Sequence, residues 1–588
     1  MLMAKNPNSL PPPSGQVFCN LLNITQCSIT ETATEFSMTV YNPIGRPVQK
    51  YIRLPVTEKG YVVTDHKGEK IDTQVDSFLK LSFLKKQRFV VIIPIPEVVM
   101  AIPGRKSDAT SELIFRVDLP ALGFATYHIE SSKEIKGHSS SMKDIKLGEE
   151  TFSIENEVVS ITFDAKTGLV KSLENSIDKS KIDLKQSFFW YYGMRGNNRL
   201  TTLRASGAYI FRPNGTQPYE FEETIEVKLI KGPLVEEVHQ IFSPWVSQVI
   251  RLYKGEDHAE FEWLVGPIPN MDKIGKEVIS RFDTNMESGP SFYTDSNGRE
   301  ILQRVRDKRP DYTISGGEPV AVNYYPVNSR IFIKDKSTQL TILTDRSQAG
   351  ASIYQGSMEL MVHRRLLYDD GFGVDEPLNE VAYGVGVVAR GIHYVQLSKV
   401  ESANVLHRKL GQQLFMSPWI SFSESKSDES NKKKQVKFST SIFSGLKKTL
   451  PSNVHLLTLE KWTAGTILIR LEHFFEKVDD PKGSIKTSAR FSKGKRFKIN
   501  FSLCFVLNLF NTFDVVDGTE MSLDGVHPLS EMKRLKWKTS DSSTQNNAIF
   551  SFCVCYFTGE TEETLDLDNI LLNPMQIRTF TLRTSKKF

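Results

Sequence analysis

The chain has 588 residues, 39% of them hydrophobic and 24% charged, an ordinary composition for a globular protein but too long for one core, so three or four domains are expected. A net charge of +5 is small at this length and argues against a dedicated nucleic-acid surface. A membrane-spanning helix is excluded as well: the apolar stretch Phe89 to Pro103 is interrupted by proline and glutamate, and the run Phe501 to Phe510 is only about half as long as a bilayer needs.

Residues 1–15, opening Met1-Leu-Met-Ala-Lys-Asn-Pro, lack the apolar centre of a signal peptide and read as a disordered N-terminus. As written, the chain has no route into the secretory pathway. The next feature expects that route. Cys19 and Cys27 flank the sequon Asn23-Ile-Thr25, and a loop this short closes readily as a disulfide in an oxidising compartment. Further sequons stand at Asn214-Gly-Thr216 and Asn500-Phe-Ser502.

From there the pattern is period-two alternation broken by turns, the signature of β-structure. Phe36–Tyr41 and Val48–Leu54 flank Asn42-Pro-Ile-Gly45, which reads as a hairpin-like turn. Residues 16–130 are expected to form a small antiparallel β-domain, and the Ser-, Lys- and Gly-rich stretch 131–149 a linker. Phe152–Ile154 and Val159–Phe163 alternate similarly, and Asp164-Ala-Lys-Thr-Gly168 follows as a turn in which Asp accepts backbone bonds and Gly takes positive φ. Glu226–Ile230, Gln248–Tyr253 and Ala259–Val265 continue the strands, and 150–400 is expected as one large sandwich. Residues 401–588 are expected as a C-terminal β-domain with a disordered loop at 423–434, whose Lys432–Lys434 run reads as solvated surface. Ser530–Trp537 is the one segment that reads as helical.

The chemistry-bearing residue types are scattered. None of the eleven histidines stands in His-x-Asp, and Cys553-Val-Cys555 reads as alternating strand positions. Asp295 and Glu300, in Tyr293-Thr-Asp-Ser-Asn-Gly-Arg-Glu300, read as turn chemistry, with Asp295 bonding its own backbone and Gly298 at positive φ. No phosphate cradle, nucleophile elbow or aromatic-basic stripe stands out.

Five blocks, in order, carry a resemblance: Ser206-Gly-Ala-Tyr-Ile-Phe-Arg-Pro-Asn214, Phe292-Tyr-Thr-Asp-Ser-Asn-Gly-Arg-Glu300, Asn323-Tyr-Tyr-Pro-Val327, Leu343-Thr-Asp-Arg-Ser-Gln348 and Met361-Val-His-Arg-Arg-Leu366. Together they resemble the C-terminal half of lysosomal-type α-mannosidases of glycoside hydrolase family 38. The N-terminal catalytic half has no counterpart here. Segments 82–104 and 486–510 depart from the family pattern and read as insertions.

The resemblance implies a mainly β fold of several antiparallel sandwich domains, a galactose-mutarotase-like large sandwich flanked by smaller β-domains, with little helix. It implies retaining hydrolysis of terminal α-linked mannose in glycoprotein oligosaccharides, with zinc and an aspartate nucleophile in the N-terminal half. This chain would then bind no metal itself and hold no catalytic residue. Tyr209, Arg364 and Arg365 are the candidates for the substrate rim. Tyr offers a sugar-stacking face and a hydroxyl, and Arg a planar fork of donors; a core tyrosine and a structural ion pair are the competing roles. The implied partners are a mannose-containing oligosaccharide and the N-terminal catalytic half, with no nucleic acid or membrane and a homodimer left open. The implied location is lysosome, vacuole or extracellular space, with Cys19–Cys27 paired and Asn23 and Asn214 glycosylated. The competing functions are a non-catalytic carbohydrate-binding or structural β-protein, and a truncated, inactive product.

Overall fold

The computed structural model describes residues 15–57, 60–71, 90–132, 138–139, 141–148, 150–221, 225–311, 313–314, 318–424, 441–479, 487–490, 509–532 and 569–585. Residues 1–14, most of the 423–434 loop, Asn500, Cys504, Cys553, Cys555 and all of the candidate helix beyond Met532 lie outside the described residues. Within them the architecture is mainly antiparallel β-sheet, in two units.

The first unit comprises 1–43 and 47–443. Its N-terminal sandwich has one sheet ordered Trp419–Glu424, Glu35–Asn42, Gly123–Ser131, Tyr61–Thr64 and Lys70–Ile71. The other is ordered Val48–Val56, Ser111–Leu119, Val90–Pro94 and His138–Ser139. Alternation dictates the packing: Phe36, Met38 and Val40 from one sheet meet Ile52, Leu54 and Val56 from the other in a single core. The turn Asn42–Gly45 therefore makes no hairpin. Glu35–Asn42 pairs with Gly123–Ser131, Val48–Val56 pairs with Ser111–Leu119, and the turn carries the chain between the two layers.

The large sandwich stacks a nine-stranded sheet on a ten-stranded one. Phe188, Val278, Phe282, Met358 and Leu360 from the first interdigitate with Ile250, Phe261, Trp263, Ile342 and Val395 from the second. Phe152–Glu155 pairs with Val159–Phe163 as the alternation predicts. The following turn closes as expected: Asp164 Oδ1 accepts from the Lys166 and Thr167 amides, and Gly168 has φ +73°. Ser141–Asp144, inside the predicted linker, adds to the edge of the ten-stranded sheet against Lys228–Lys231, an edge place that lets polar side chains stay hydrated.

The helix Val400–Phe415 escaped the sequence reading. It buries Ala403, His407, Arg408, Leu410 and Gly411, and Leu410 packs beside Leu343 and Tyr394. The 3–4 spacing is present, but a face in which Leu410 stands among Ala, His, Arg and Gly gives little hydrophobic signal. Beyond it, Trp419–Glu424 pairs with Glu35–Asn42, so this stretch of the predicted C-terminal domain returns to the N-terminal sheet.

The second unit comprises 44–46 and 444–588. Its main sheet is ordered Val454–Lys461, Thr466–His473, Ile577–Thr584 and Val515–Met521.

The ten-stranded sheet is covered on its outer face too. Tyr51 of the N-terminal sandwich stacks on Tyr253 at 4.8 Å, and its hydroxyl donates to the Lys254 carbonyl. Beneath that cover lies an ionic network. Glu262 accepts from Arg53 at 3.0 Å and also pairs with Arg251 and Arg390, while Glu237 pairs with Arg251 and sits 2.8 Å from His239. Burial pushes both carboxyls up, but their cationic neighbours outweigh it: Glu237 is held down at about 2, and Glu262 lies lower still.

Candidate functional site

The outer face of the nine-stranded sheet carries a polar cluster under two loops. The strand Lys276–Thr284 lies between Ser180–Tyr192 and Ser357–Arg365, so Glu277 faces Tyr191 on one side and Arg364 on the other. A β-bulge decides which arginine does this. Val278 opposes His363 and Ile279 opposes Met361, leaving Val362 as the extra residue. Strict alternation from Leu360, which is in the core, would turn Arg364 inward; the added residue turns it outward onto Glu277.

Arg364 donates through Nε and Nη2 to Glu277 Oε1 at 2.9 and 2.7 Å, and through Nη2 to the Ile210 carbonyl at 2.8 Å. Ser206 Oγ donates to the same Glu277 oxygen at 2.8 Å. Glu277 is fully buried; burial pushes its carboxyl above the ordinary range, with Arg364 and Ser206 opposing the shift. Next along the face, Glu359 accepts from Tyr324 and Tyr191 hydroxyls at 2.6 and 2.9 Å, and burial raises it likewise.

Above Glu277 the loop 204–212 meets the turn 366–373. The Tyr209 and Ile210 amides donate to Asp370 Oδ2 at 2.7 and 3.2 Å, and the Phe372 amide donates to Oδ1 at 3.1 Å. Arg204 donates to the Asp370 carbonyl at 2.9 Å and lies 4.3 Å over the Phe372 ring. The Tyr209 side chain is thereby left outside, 69% exposed and edge-on to Phe372 at 6.4 Å.

Tyr209 and Arg364 thus come together through Ile210, and Arg365 does not join them. Arg365 Nε donates to Asn379 Oδ1 at 2.7 Å and Nη1 to the Ile268 carbonyl at 2.5 Å, on the opposite side of its strand. Tyr209 is no core residue. Arg364 makes the structural ion pair, yet its Nη1 donates no hydrogen bond among the described residues and its side chain keeps 19% exposure. Sequence reasoning missed Glu277 and Asp370, each an ordinary carboxylate until the fold buries it.

Cys19 and Cys27 form a disulfide, and Asn23 and Asn214 are exposed. Loss of the disulfide, in Cys19→Ala with Cys27→Ala, should cost about 2–3 kcal/mol from the entropy of so short a loop, read as a lower thermal midpoint of the first unit. Asp295 performs turn chemistry: Oδ2 accepts from the Gly298 amide at 2.6 Å and Oδ1 from those of Ser329 and Arg330. Among the described residues no three His, Cys, Asp or Glu side chains are placed to hold a metal ion.

Comparison with known proteins agrees with this architecture. Residues 154–372 match the family 38 C-terminal domain of glycosyl hydrolases, 453–580 the family 38 C-terminal beta sandwich domain, and 90–129 the central domain of lysosomal alpha-mannosidase-like proteins. The class is therefore the β-rich C-terminal portion of a glycosyl hydrolase. The last match begins inside 82–104 and that over 453–580 contains 486–510, the two segments that read as departures from the family pattern.

Lysosomal alpha-mannosidase of Homo sapiens is 41% identical over 569 residues, covering 96% of this chain and 50% of that protein. Alpha-mannosidase of Canavalia ensiformis is 34% identical over 578 residues, covering 96% of this chain and 55% of that one. An alpha-mannosidase crystal structure from Enterococcus faecalis V583 shares the fold at TM-score 0.54 and 11% identity, covering 93% of this chain and 56% of the other. The chain belongs to glycosyl hydrolase family 38 and corresponds to the C-terminal half of its lysosomal α-mannosidase type. It spans about half the length of the curated relatives it matches.

Proposed function

We propose that this chain is the scaffold and pocket rim of a retaining α-mannosidase that removes terminal α-linked mannose from glycoprotein oligosaccharides. The observation that carries the reading is the exposed Tyr209 ring, held at the edge of the family 38 domain by a buried network that includes Arg364. Tyr209 would contact the sugar through its ring and hydroxyl, and Arg364 would orient it through Nη1. The carboxylate nucleophile, the acid and the zinc that holds the mannose 2- and 3-hydroxyls belong, in this reading, to the N-terminal half. The setting is the lysosome or vacuole, with glycans on Asn23 and Asn214.

Purified alone, the chain should hydrolyse a synthetic α-mannoside no faster than buffer and hold no stoichiometric zinc. Positioning without a nucleophile leaves no covalent step to accelerate. Joined to the N-terminal half of a family 38 enzyme it should turn the substrate over, and Tyr209→Phe should lower kcat there. Zinc-dependent turnover by the isolated chain would overturn the assignment.

A further inference from the structure

We infer that Asp370 is a positioning residue: its buried carboxylate sets the loop 206–212 and so aims Tyr209. The inference rests on the reading of Tyr209 as a sugar contact, but its structural half stands on geometry alone.

Asp370 is fully buried, and both its oxygens accept backbone amides. Oδ2 takes Tyr209 and Ile210 at 2.7 and 3.2 Å, and Oδ1 takes Phe372 at 3.1 Å. A carboxylate that accepts several backbone N–H groups forms short, charge-assisted bonds of fixed direction. It therefore ties the loop carrying Tyr209 to the turn carrying Phe372, the ring Tyr209 leans on. Ile210 is gripped from the other side as well, its carbonyl accepting from Arg364 Nη2 at 2.8 Å and from the Gly207 amide at 2.9 Å. The turn itself is anchored by Arg204 on the carbonyls of Asp370 and Gly371 and by Asn198 on that of Asp369.

Gly207 makes the approach possible. A Cβ there would lie 2.7 Å from the Asp370 Cβ, backbone N and Oδ2, and a clash with backbone cannot be relieved by a rotamer change. Asp370 thus spends one oxygen on the loop and the other on its own turn, and Tyr209 is the more exposed of the two rings the arrangement presents, at 69% against 51% for Phe372. A contact residue held within about 0.5 Å by a buried shell is the arrangement a binding site needs.

The test uses the whole chain and two readouts. Hydrogen exchange should show the Tyr209 and Ile210 amides exchanging on the order of tenfold faster or more in Asp370→Ala, because each loses a charge-assisted acceptor. Exchange in Ser180–Tyr192 and Lys276–Thr284 should stay at the wild-type rate. Asp370→Asn, which keeps an acceptor oxygen, should restore most of the protection. Gly207→Ala, which keeps the carboxylate but pushes it away, should reproduce the effect and carries the test if Asp370→Ala does not fold.

Wild-type exchange at the two amides in a folded variant, or equal loosening of the flanking strands, would overturn the positioning role. In parallel, saturation-transfer NMR with methyl α-mannoside should show a signal reduced several-fold and equally by Tyr209→Ala and Asp370→Ala. A signal lost in Tyr209→Ala but kept in Asp370→Ala also overturns the positioning role. No signal in the wild type, or one indifferent to Tyr209→Ala, overturns the sugar-contact reading instead, and the exchange result then decides the hold on the loop.

Discussion

Glu262→Ala should destabilise the first unit by about 3–5 kcal/mol, the cost of leaving buried charge without its partner. Glu262 is the carboxylate shared by Arg53, Arg251 and Arg390, and all four side chains are largely buried between the N-terminal sandwich and the ten-stranded sheet. Truncation leaves three guanidiniums near one another, with Glu237 still paired to Arg251 and Glu112 to Arg53. Urea unfolding followed by tryptophan fluorescence reads the loss, since Trp263 neighbours Glu262 in the chain and is itself buried.

The sign of the pH dependence follows from the direction of the shifts. Burial raises Glu262 and Glu237, the arginines lower them more, and both end below an unfolded value of about 4.3. Their contribution is therefore complete above that value, and it drains away as pH falls, that of Glu237 through about 2. The wild type should hold its midpoint from neutral pH down to about 5 and lose it steeply below about 4. A loss under about 1 kcal/mol in Glu262→Ala, the level of an exposed pair, would mean that water reaches the network.

Arg364→Ala should cost about 3 kcal/mol at pH 7, and distinctly less near pH 4. The substitution removes two of the hydrogen bonds to Glu277 Oε1 and one to the Ile210 carbonyl, leaving Ser206 as the remaining donor to that carboxylate. Glu277 already lies above its ordinary value because of burial. A carboxyl raised in the folded state stabilises below the unfolded value and ceases to as pH rises through the folded one. Without Arg364 the folded value climbs further, so the penalty grows with pH and a protonated Glu277 relieves it in acid. The double variant with Glu277→Gln should recover most of the loss at pH 7. Equal costs at both pH values would show that Arg364 contributes by packing and not by charge. In a complete enzyme the same variant should lower kcat, because Ile210 would lose the donor that holds the loop behind Tyr209.

Much of the fold was legible because β-structure writes itself locally. The alternation of Phe152–Ile154 and Val159–Phe163, and the Asp164–Gly168 turn that joins Val159–Phe163 to its partner strand Val170–Asn175, need only neighbours in sequence. The Cys19–Cys27 pair was legible for the same reason, as a short closed loop. The helix Val400–Phe415 was not, since its buried side includes His407, Arg408 and Gly411, and the two polar ones are buried only because distant partners meet them: Arg330 lies 2.7 Å from His407, and Arg408 donates to the Arg299 carbonyl.

What the chain alone determined, then, was its strands, its tight turns, its disulfide and the family blocks around Tyr209 and Arg364. What only tertiary structure decided was which face each residue occupies when more than one face is covered. Asn42–Gly45 looks like a hairpin until Phe36 and Ile52 are seen in opposite layers of one core. In Ala259-Glu-Phe-Glu-Trp-Leu-Val265 the alternation would ordinarily leave Glu260 and Glu262 in water, yet a second sheet closes over them and turns both into buried charge. One bulged residue, Val362, selects Arg364 over Arg365 for the Glu277 face. Such choices depend on pairing between strands far apart in the chain, and a period-two pattern holds no record of a partner it has not yet met.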